Sequence, residues 1–205
     1  MRSREETLRS IEGGSFDVCV IGGGATGAGC ALDAQLRGLK TVLVEAGDFG
    51  GASSSKSTKI IHGGVRYLEE AVKELDAAEY LVVNRALCER ILMLKNGPYL
   101  CRTLEFLIPC FQWLDVGYYD VGLKLYDWLA GEASIFPSHF LSRNETLRRM
   151  PTVKNDDLVG SIAYADGQFN DARHNIALVK TFWESGGDAS NYLRVTGFHI
   201  SQWPD

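Results

Sequence analysis

Apolar and polar positions along the chain resolve into a readable series of elements. Residues 16–21, Phe-Asp-Val-Cys-Val-Ile, read as a buried strand, and the glycines at 22, 23, 24 and 27 read as a turn. The spacing then predicts a helix over 24–38, ending at Gly38 just after Arg37. Thr41 to Val44 is an uninterrupted apolar run, the mark of a strand covered on both faces. Residues 46–65 are rich in Gly and Ser and have no period of either kind; loops of that length are uncommon in compact domains and are often functional. A long helix is expected from about Tyr67 to Lys95, with Leu68, Val72, Leu75, Val82, Ala86 and Leu94 at near-helical spacing and Asn96-Gly97-Pro98 as its stop. Farther on the pattern predicts a strand over 104–109 and an aromatic-rich helix over 115–129. A short helix follows over 142–150, opened by a Ser142/Glu145 capping box and ended by Pro151. A strand over 158–164, a helix over 171–185 stopped by Gly186-Gly187, and a last strand over 191–196 complete the reading. The βαβ pattern at the front gives way near residue 98 to a mixed one. The chain therefore divides into an N-terminal segment (1–15), a doubly wound α/β nucleotide-binding domain (16–97) and the start of an α+β domain (98–205). No internal repeat is visible.

The front of the chain carries a specific chemistry. A strand, a glycine turn (Gly22-Gly23-Gly24-Ala25-Thr26-Gly27), a helix, a second strand and then Glu45 build a site for the diphosphate of a dinucleotide. Gly22 permits the tight turn, Gly24 lets the backbone approach the pyrophosphate, and Gly27 lets the helix pack near the strand. The helix N-terminus points its free N–H groups at the phosphates. Glu45, eighteen positions after Gly27, stands where a carboxylate accepts hydrogen bonds from ribose hydroxyls. Glu45 would serve a flavin or a nicotinamide dinucleotide equally, so an NAD-linked dehydrogenase stays open at this point.

Composition narrows the class. The chain has 205 residues, 45% hydrophobic and 23% charged, as in globular proteins. A net charge of −5 argues against a nucleic-acid surface, which needs a basic stripe. No run of about 18 apolar residues is present to span a bilayer. Met1 to Ser15 is polar and of mixed charge, unlike a secretory signal or an Arg-rich transit peptide. The five cysteines contain no Cys-x-x-Cys pair. Cys19 and Cys30 read as small buried apolar residues, and Cys101 and Cys110 as two separate thiols, which suits a reducing compartment. His139, His174 and His199 lack metal-ligand spacing, and no metal site is expected.

A second motif is denser. Ser53-Ser54-Ser55-Lys56-Ser57-Thr58-Lys59-Ile60-Ile61-His62-Gly63-Gly64-Val65-Arg66-Tyr67-Leu68-Glu69 supplies hydroxyls, backbone N–H groups and fixed cations. Such a loop can cradle phosphate and present Arg66 to an anion; by composition alone, a solvated loop is an equal reading. With "IGGGATGAGCALDAQLRGLKTVLVEAGDF" ahead of it, and "YYDVGLKLYDWLAG" and "YADGQFNDARHNIAL" after it, the chain resembles FAD-dependent glycerol-3-phosphate dehydrogenases, the mitochondrial type in particular. The resemblance covers about residues 3–198, and the His-Gly-Gly-x-Arg-Tyr-Leu stretch carries more of it than the glycine turn does.

That resemblance implies an FAD-binding doubly wound domain with a substrate domain capping the isoalloxazine. It implies oxidation of sn-glycerol 3-phosphate to dihydroxyacetone phosphate, with electrons passed to ubiquinone. By the same resemblance Gly22, Gly23, Gly24, Ala25, Thr26 and Gly27 would hold the FAD pyrophosphate and Glu45 the adenosine ribose. Ser54, Ser55, Ser57, Thr58 and Lys59 would line the flavin side. His62 would stand close to the ring as a candidate general base, and Arg66 and Tyr67 would contact substrate, Arg66 at its phosphate. Residues 166–173 are also a family stretch, read from the residues as a turn feeding a helix capped by Asp171; Arg173 is open between the active site and the surface. Trp113 and Trp128 are expected on a helix face packed inside the substrate domain, the alternative being a membrane surface. The family implies a membrane surface as partner and the outer face of the mitochondrial inner membrane as location; a homodimer is compatible with it, and nucleic acid is not expected.

Family members are longer, and after about residue 198 the pattern is not continued. The expectation is an N-terminal portion of the flavoenzyme, with several substrate-binding basic residues in segments beyond it and little turnover by this polypeptide alone. Two further alternatives are an amine or amino-acid oxidase of the same fold, which does not account for His62 to Tyr67, and a non-catalytic nucleotide-binding or dominant-negative fragment.

Overall fold

The computed structural model describes residues 3–64, 77–131 and 134–200. The chain divides into two compact units, one built from residues 1–59 and 170–205, the other from residues 60–169. The change of pattern read near residue 98 falls inside the second unit. The first unit is assembled from both ends of the chain because its third strand comes from residues 188–190.

The first unit opens with α1 (Arg4–Gly13), which the polar composition of its segment did not suggest. Its start is fixed by a capping box: Ser3 Oγ accepts from the Glu6 amide and the Glu6 carboxylate accepts from the Ser3 amide. There follow β1 (Val18–Ile21), α2 (Ala25–Leu36) and β2 (Thr41–Val44). β1 lies parallel to β2 in the register Val18 to Thr41, joined by the helical crossover that a parallel pair requires. β2 is central, parallel on its other side to β7 (Asp188–Ser190), and all four of its residues are buried, as its unbroken run predicts. β1 is an edge strand among the described residues. Cys19 on it and Cys30 on α2 are exposed, not buried as the sequence suggested. The expected strand over 191–196 is absent. Tyr192 takes a left-handed backbone (φ 50°), and the Tyr192 and Leu193 amides donate to the carbonyls of Gly47 and Glu45 instead of continuing a ladder.

Helix α6 (Asp171–Glu184) completes this unit. Ala28 and Ala31 of α2, Leu43 of β2, Val179 and Phe182 of α6 and Ala189 of β7 form its core. Small side chains on one face of α2 let it approach α6 and the sheet closely, and burying Phe182 stabilises the unit by about 3 kcal/mol.

The second unit is an antiparallel sheet with helices packed on it. β6 (Gly160–Phe169) runs through its middle, pairing along its full length with β4 (Cys101–Cys110) and, on the other side, with β5 (His139–Ser142) and β3 (Ile60–Ile61). This ten-residue ladder explains why β4 and β6 outrun the predicted 104–109 and 158–164. Asp166 to Phe169, read as a turn, are strand residues because β4 and β3 supply partners for them. Helix α3 (Ala77–Asn96) ends where Gly97-Pro98 requires. Its inward residues are Val83, Leu87 and Arg90, while Val82, placed on the inward face by the spacing, is 57% exposed. The predicted positions Leu68, Val72 and Leu75 lie outside the described residues. Helix α4 (Trp113–Ala130) buries Leu123, Tyr126, Leu129 and Ala130. Trp113 and Trp128 are 71% and 73% exposed, so neither is packed inside as expected. Helix α5 (Arg143–Arg149) is capped by Ser142, whose hydroxyl accepts from the Glu145 amide at 3.4 Å.

Candidate functional site

The glycine turn is built from its first residue upward. Gly22 has φ +113°, a conformation that side-chain-bearing residues rarely adopt, and its amide continues the ladder to the Val44 carbonyl at 2.8 Å. At Gly27 the helix comes so close that a Cβ would lie 1.8 Å from the Gly22 carbonyl oxygen. Gly24 is the N-cap of α2 and offers no side chain. The Ala25 amide donates to Ser54 Oγ at 2.9 Å, while the amides of Gly24 and Thr26 have no partner among the described residues. These are the unsatisfied donors of a helix start, carrying its positive partial charge.

Glu45 stands at the end of β2 beside them. Its two carboxylate oxygens accept from the Gly23 and Gly47 amides, each at 2.7 Å. Those bonds, Gly47's first and Gly23's next, hold its carboxyl below the usual range. The group is therefore ionised, with lone pairs left to accept from hydroxyl donors. Gly23 is fixed from its other side as well: its carbonyl accepts from the Gly50 amide and from Asn175 Nδ2, both at 3.0 Å.

The Gly/Ser stretch is ordered rather than loose. Ser53–Ser55 form a 3₁₀ turn that delivers Ser54 to the start of α2. Farther on, Asp171 gathers the loop. Its carboxylate accepts from the Ser57 amide at 2.8 Å, the Ser57 hydroxyl at 2.7 Å and Lys59 Nζ at 2.9 Å. Lys59 and Ser57 hold the Asp171 carboxyl far below the usual carboxylate range. The cap of α6 is Asn170, whose Oδ1 accepts from the Arg173 amide at 3.0 Å; Asp171, taken from the sequence as that cap, is turned inward. An Asn and an Asp in succession are equally good caps, so the sequence carried no signal for choosing between them. Thr58 is exposed.

In the second unit the His62 ring is exposed and accepts from the Gly64 amide at Nδ1, 3.1 Å away. The neutral ring then carries its proton on Nε2, and a general-base role through Nε2 requires that bond to break. The Gly63 amide donates to the buried Tyr126 hydroxyl at 2.8 Å, which lies beside the buried pair Arg90 and Asp166. Burial pushes the Tyr126 hydroxyl well up. It also pushes up the Asp166 carboxyl, while Arg90 acts in the opposite direction. Sequence reasoning missed Arg90, Tyr126 and Asp166 as a group, because they sit on three elements far apart in the chain. Arg66 and Tyr67 lie outside the described residues. Arg173 is exposed, and among the described residues no cluster of His, Cys, Asp or Glu suited to a metal ion is found. No helix among them is long and apolar enough to cross a membrane.

Free amides at a helix start, an ionised carboxylate one strand away and a backbone with no room for side chains together fit the diphosphate and ribose of a dinucleotide. Comparison with known proteins agrees with that chemistry. A family model described as FAD dependent oxidoreductase matches residues 17–203. The mitochondrial glycerol-3-phosphate dehydrogenase of Homo sapiens is 48% identical over 194 residues, covering 94% of this chain and 27% of that protein. A probable glycerol-3-phosphate dehydrogenase of Encephalitozoon cuniculi is 46% identical over 198 residues, covering 97% of this chain and 32% of that protein. Among solved structures, the glycerol-3-phosphate dehydrogenase of Bacillus halodurans complexed with FAD superposes with a TM-score of 0.67 at 29% identity, covering 97% of this chain and 31% of that one. The chain thus spans about a third or less of the length of the curated relatives it matches.

Proposed function

The chain belongs to the FAD dependent oxidoreductase family, and from that premise we propose that it carries the FAD-binding part of an enzyme that oxidises sn-glycerol 3-phosphate to dihydroxyacetone phosphate. The observation that carries the reading is the amide-lined start of α2 with Glu45 beside it. The similarity to glycerol-3-phosphate dehydrogenases supports the substrate. The name of the human relative supports a mitochondrial location; a quinone as electron acceptor, a membrane surface as partner and the outer face of the inner membrane complete the proposal.

In this reading the diphosphate lies against the backbone of Gly22, Gly23, Gly24, Ala25, Thr26 and Gly27, the free Gly24 and Thr26 amides donating to it, and Glu45 accepts from the adenosine ribose hydroxyls. The hydroxyls of Ser54, Ser55, Ser57 and Thr58 line the flavin side. The Lys59 ammonium, already bonded to Asp171, stiffens that wall. Bound FAD supplies the hydride acceptor. His62 offers an Nε2–H donor near the ring, Arg66 balances the substrate phosphate, and Tyr67 helps to place it. Neither Arg66 nor Tyr67 needs to move a proton for these tasks.

A graft tests the proposal. This chain, put in place of the matching 194 residues of the human relative, should give a yellow protein whose flavin bleaches on anaerobic addition of glycerol 3-phosphate. A folded graft that binds no FAD overturns the proposal. One that bleaches with amino acids and not with glycerol 3-phosphate overturns its substrate.

A further inference from the structure

Helix α6 buries four residues at spacings of four, four and three: Asp171, Asn175, Val179 and Phe182. That is one inward stripe of a helix, where patterning calls for apolar side chains throughout. Its second half obeys. Its first half is an acid 4% exposed and an amide 1% exposed. Polar groups buried in this way destabilise a fold unless their hydrogen bonds are made. Here Asp171 and the Asn175 Nδ2 make theirs to two loops whose sequence lies more than a hundred residues away, while Asn175 Oδ1 has no partner among the described residues.

We propose that Asp171 and Asn175 are the positioning residues of the nucleotide site, holding its two loops in place from one stripe of α6. The inference rests on the FAD-binding reading above. Asp171 is occupied by four donors: the Ser57 amide and hydroxyl, Lys59 Nζ and the Ala172 amide. Because Asn170 already caps the helix, the carboxylate is released for this work. Lys59 has φ 63°, an uncommon conformation for a non-glycine residue that persists only where its surroundings impose it. Its amide is held by Ser57 Oγ, which itself donates to Asp171, and its ammonium by Asp171 and the Ser55 carbonyl. Asn175, one turn along, donates to the Gly23 carbonyl, the same oxygen that accepts from the Gly50 amide. Its side chain also covers Gly50, where an added Cβ would lie 3.0 Å from Nδ2. The glycine turn and the hydroxyl-rich loop are thereby registered against one rigid element. Neither Asp171 nor Asn175 is assigned to touch the dinucleotide.

The test uses the full chain and two readouts, amide exchange without cofactor and FAD affinity. Asp171→Asn keeps the shape and removes the charge. It should speed exchange at Ser57 and Lys59 and weaken FAD binding, each about 10-fold or more. Asn175→Asp sets an acceptor against the Gly23 carbonyl and should weaken FAD binding by a similar factor. Val179→Ala on the same stripe is the control: it should lower the unfolding midpoint and leave FAD affinity within about twofold, having no bond to either loop. Asp171→Glu should restore part of the affinity. Should Asp171→Asn fail to fold, Ser57→Ala removes one of the four bonds and should move both readouts in the same direction. Equal FAD affinities for Asp171→Asn and Val179→Ala, or unchanged exchange at Ser57, overturn the inference. Absence of FAD uptake by the unsubstituted chain overturns instead the FAD reading on which it rests.

Discussion

Two glycines of the same helix make opposite predictions. Gly27 and Gly29 both lie in α2, where alanine ordinarily improves a helix by about 1 kcal/mol. An added Cβ at Gly29 meets nothing within 4 Å. At Gly27 it would stand 1.8 Å from the Gly22 carbonyl oxygen and 3.4 Å from Val20 Cγ1. A carbon and a carbonyl oxygen approach to about 3.3 Å at closest comfort, so roughly 1.5 Å must be found. No flexible side chain can give it, because the obstacle is backbone. Helix α2 must lift off the turn, loosening Ala28 and Ala31 from Leu43 and Phe182. Overpacking of this kind costs about 1–3 kcal/mol, and a backbone obstacle puts Gly27 at the upper end. After the helix gain is subtracted, Gly27→Ala should destabilise by about 2 kcal/mol, while Gly29→Ala should stabilise by about 0.5–1 kcal/mol. Urea unfolding of the two variants side by side measures the gap of about 3 kcal/mol, at equal m-values. Gly27→Ala should also lose FAD affinity, since the amides of Gly24 and Thr26 move with the helix. If Gly27→Ala proves as stable as Gly29→Ala, the close approach of helix and turn is wrong and the argument fails with it.

Tyr126→Phe leaves the buried Gly63 amide without its acceptor and should cost about 1–3 kcal/mol in chemical unfolding; a neutral outcome would remove Tyr126 as the anchor of the His62–Gly64 turn. Glu45 has its carboxyl held below the ordinary value, so its share of stability is complete above the unfolded-state value of about 4.3 and drains away as pH falls through the lower folded one. Glu45→Gln should therefore flatten the acid limb of a stability-against-pH curve, and an unaltered limb would show that the Gly23 and Gly47 bonds do not form.

The part of the fold that could be read from the residues is the local part. A strand, a glycine turn, a helix and an acid follow one another within thirty residues, and each is fixed by its own neighbours: Gly22 by its φ, Gly27 by contact, Glu45 by two amides. What escaped was whatever another segment decides. β7 is three residues long and exists because β2 lies beside it. The far half of β6 is a strand because β4 and β3 supply its ladder, although Asp-Gly-Gln in isolation reads as a turn. The phase of α3 was misread at Val82 because spacing alone cannot say which neighbour covers which face. At the site, the hydroxyl-rich loop was legible as chemistry but not as structure. Its anchor, Asp171, is 114 positions away from Ser57 and looked like one more helix cap.

The start of α2 is proposed to grip the diphosphate of FAD. A crystal structure of the FAD complex tests it most directly. The diphosphate should lie against the Gly22–Gly27 backbone, with the Gly24 and Thr26 amides donating to it and Glu45 on the ribose. FAD bound elsewhere, or a diphosphate with no amide of that turn in reach, would contradict it.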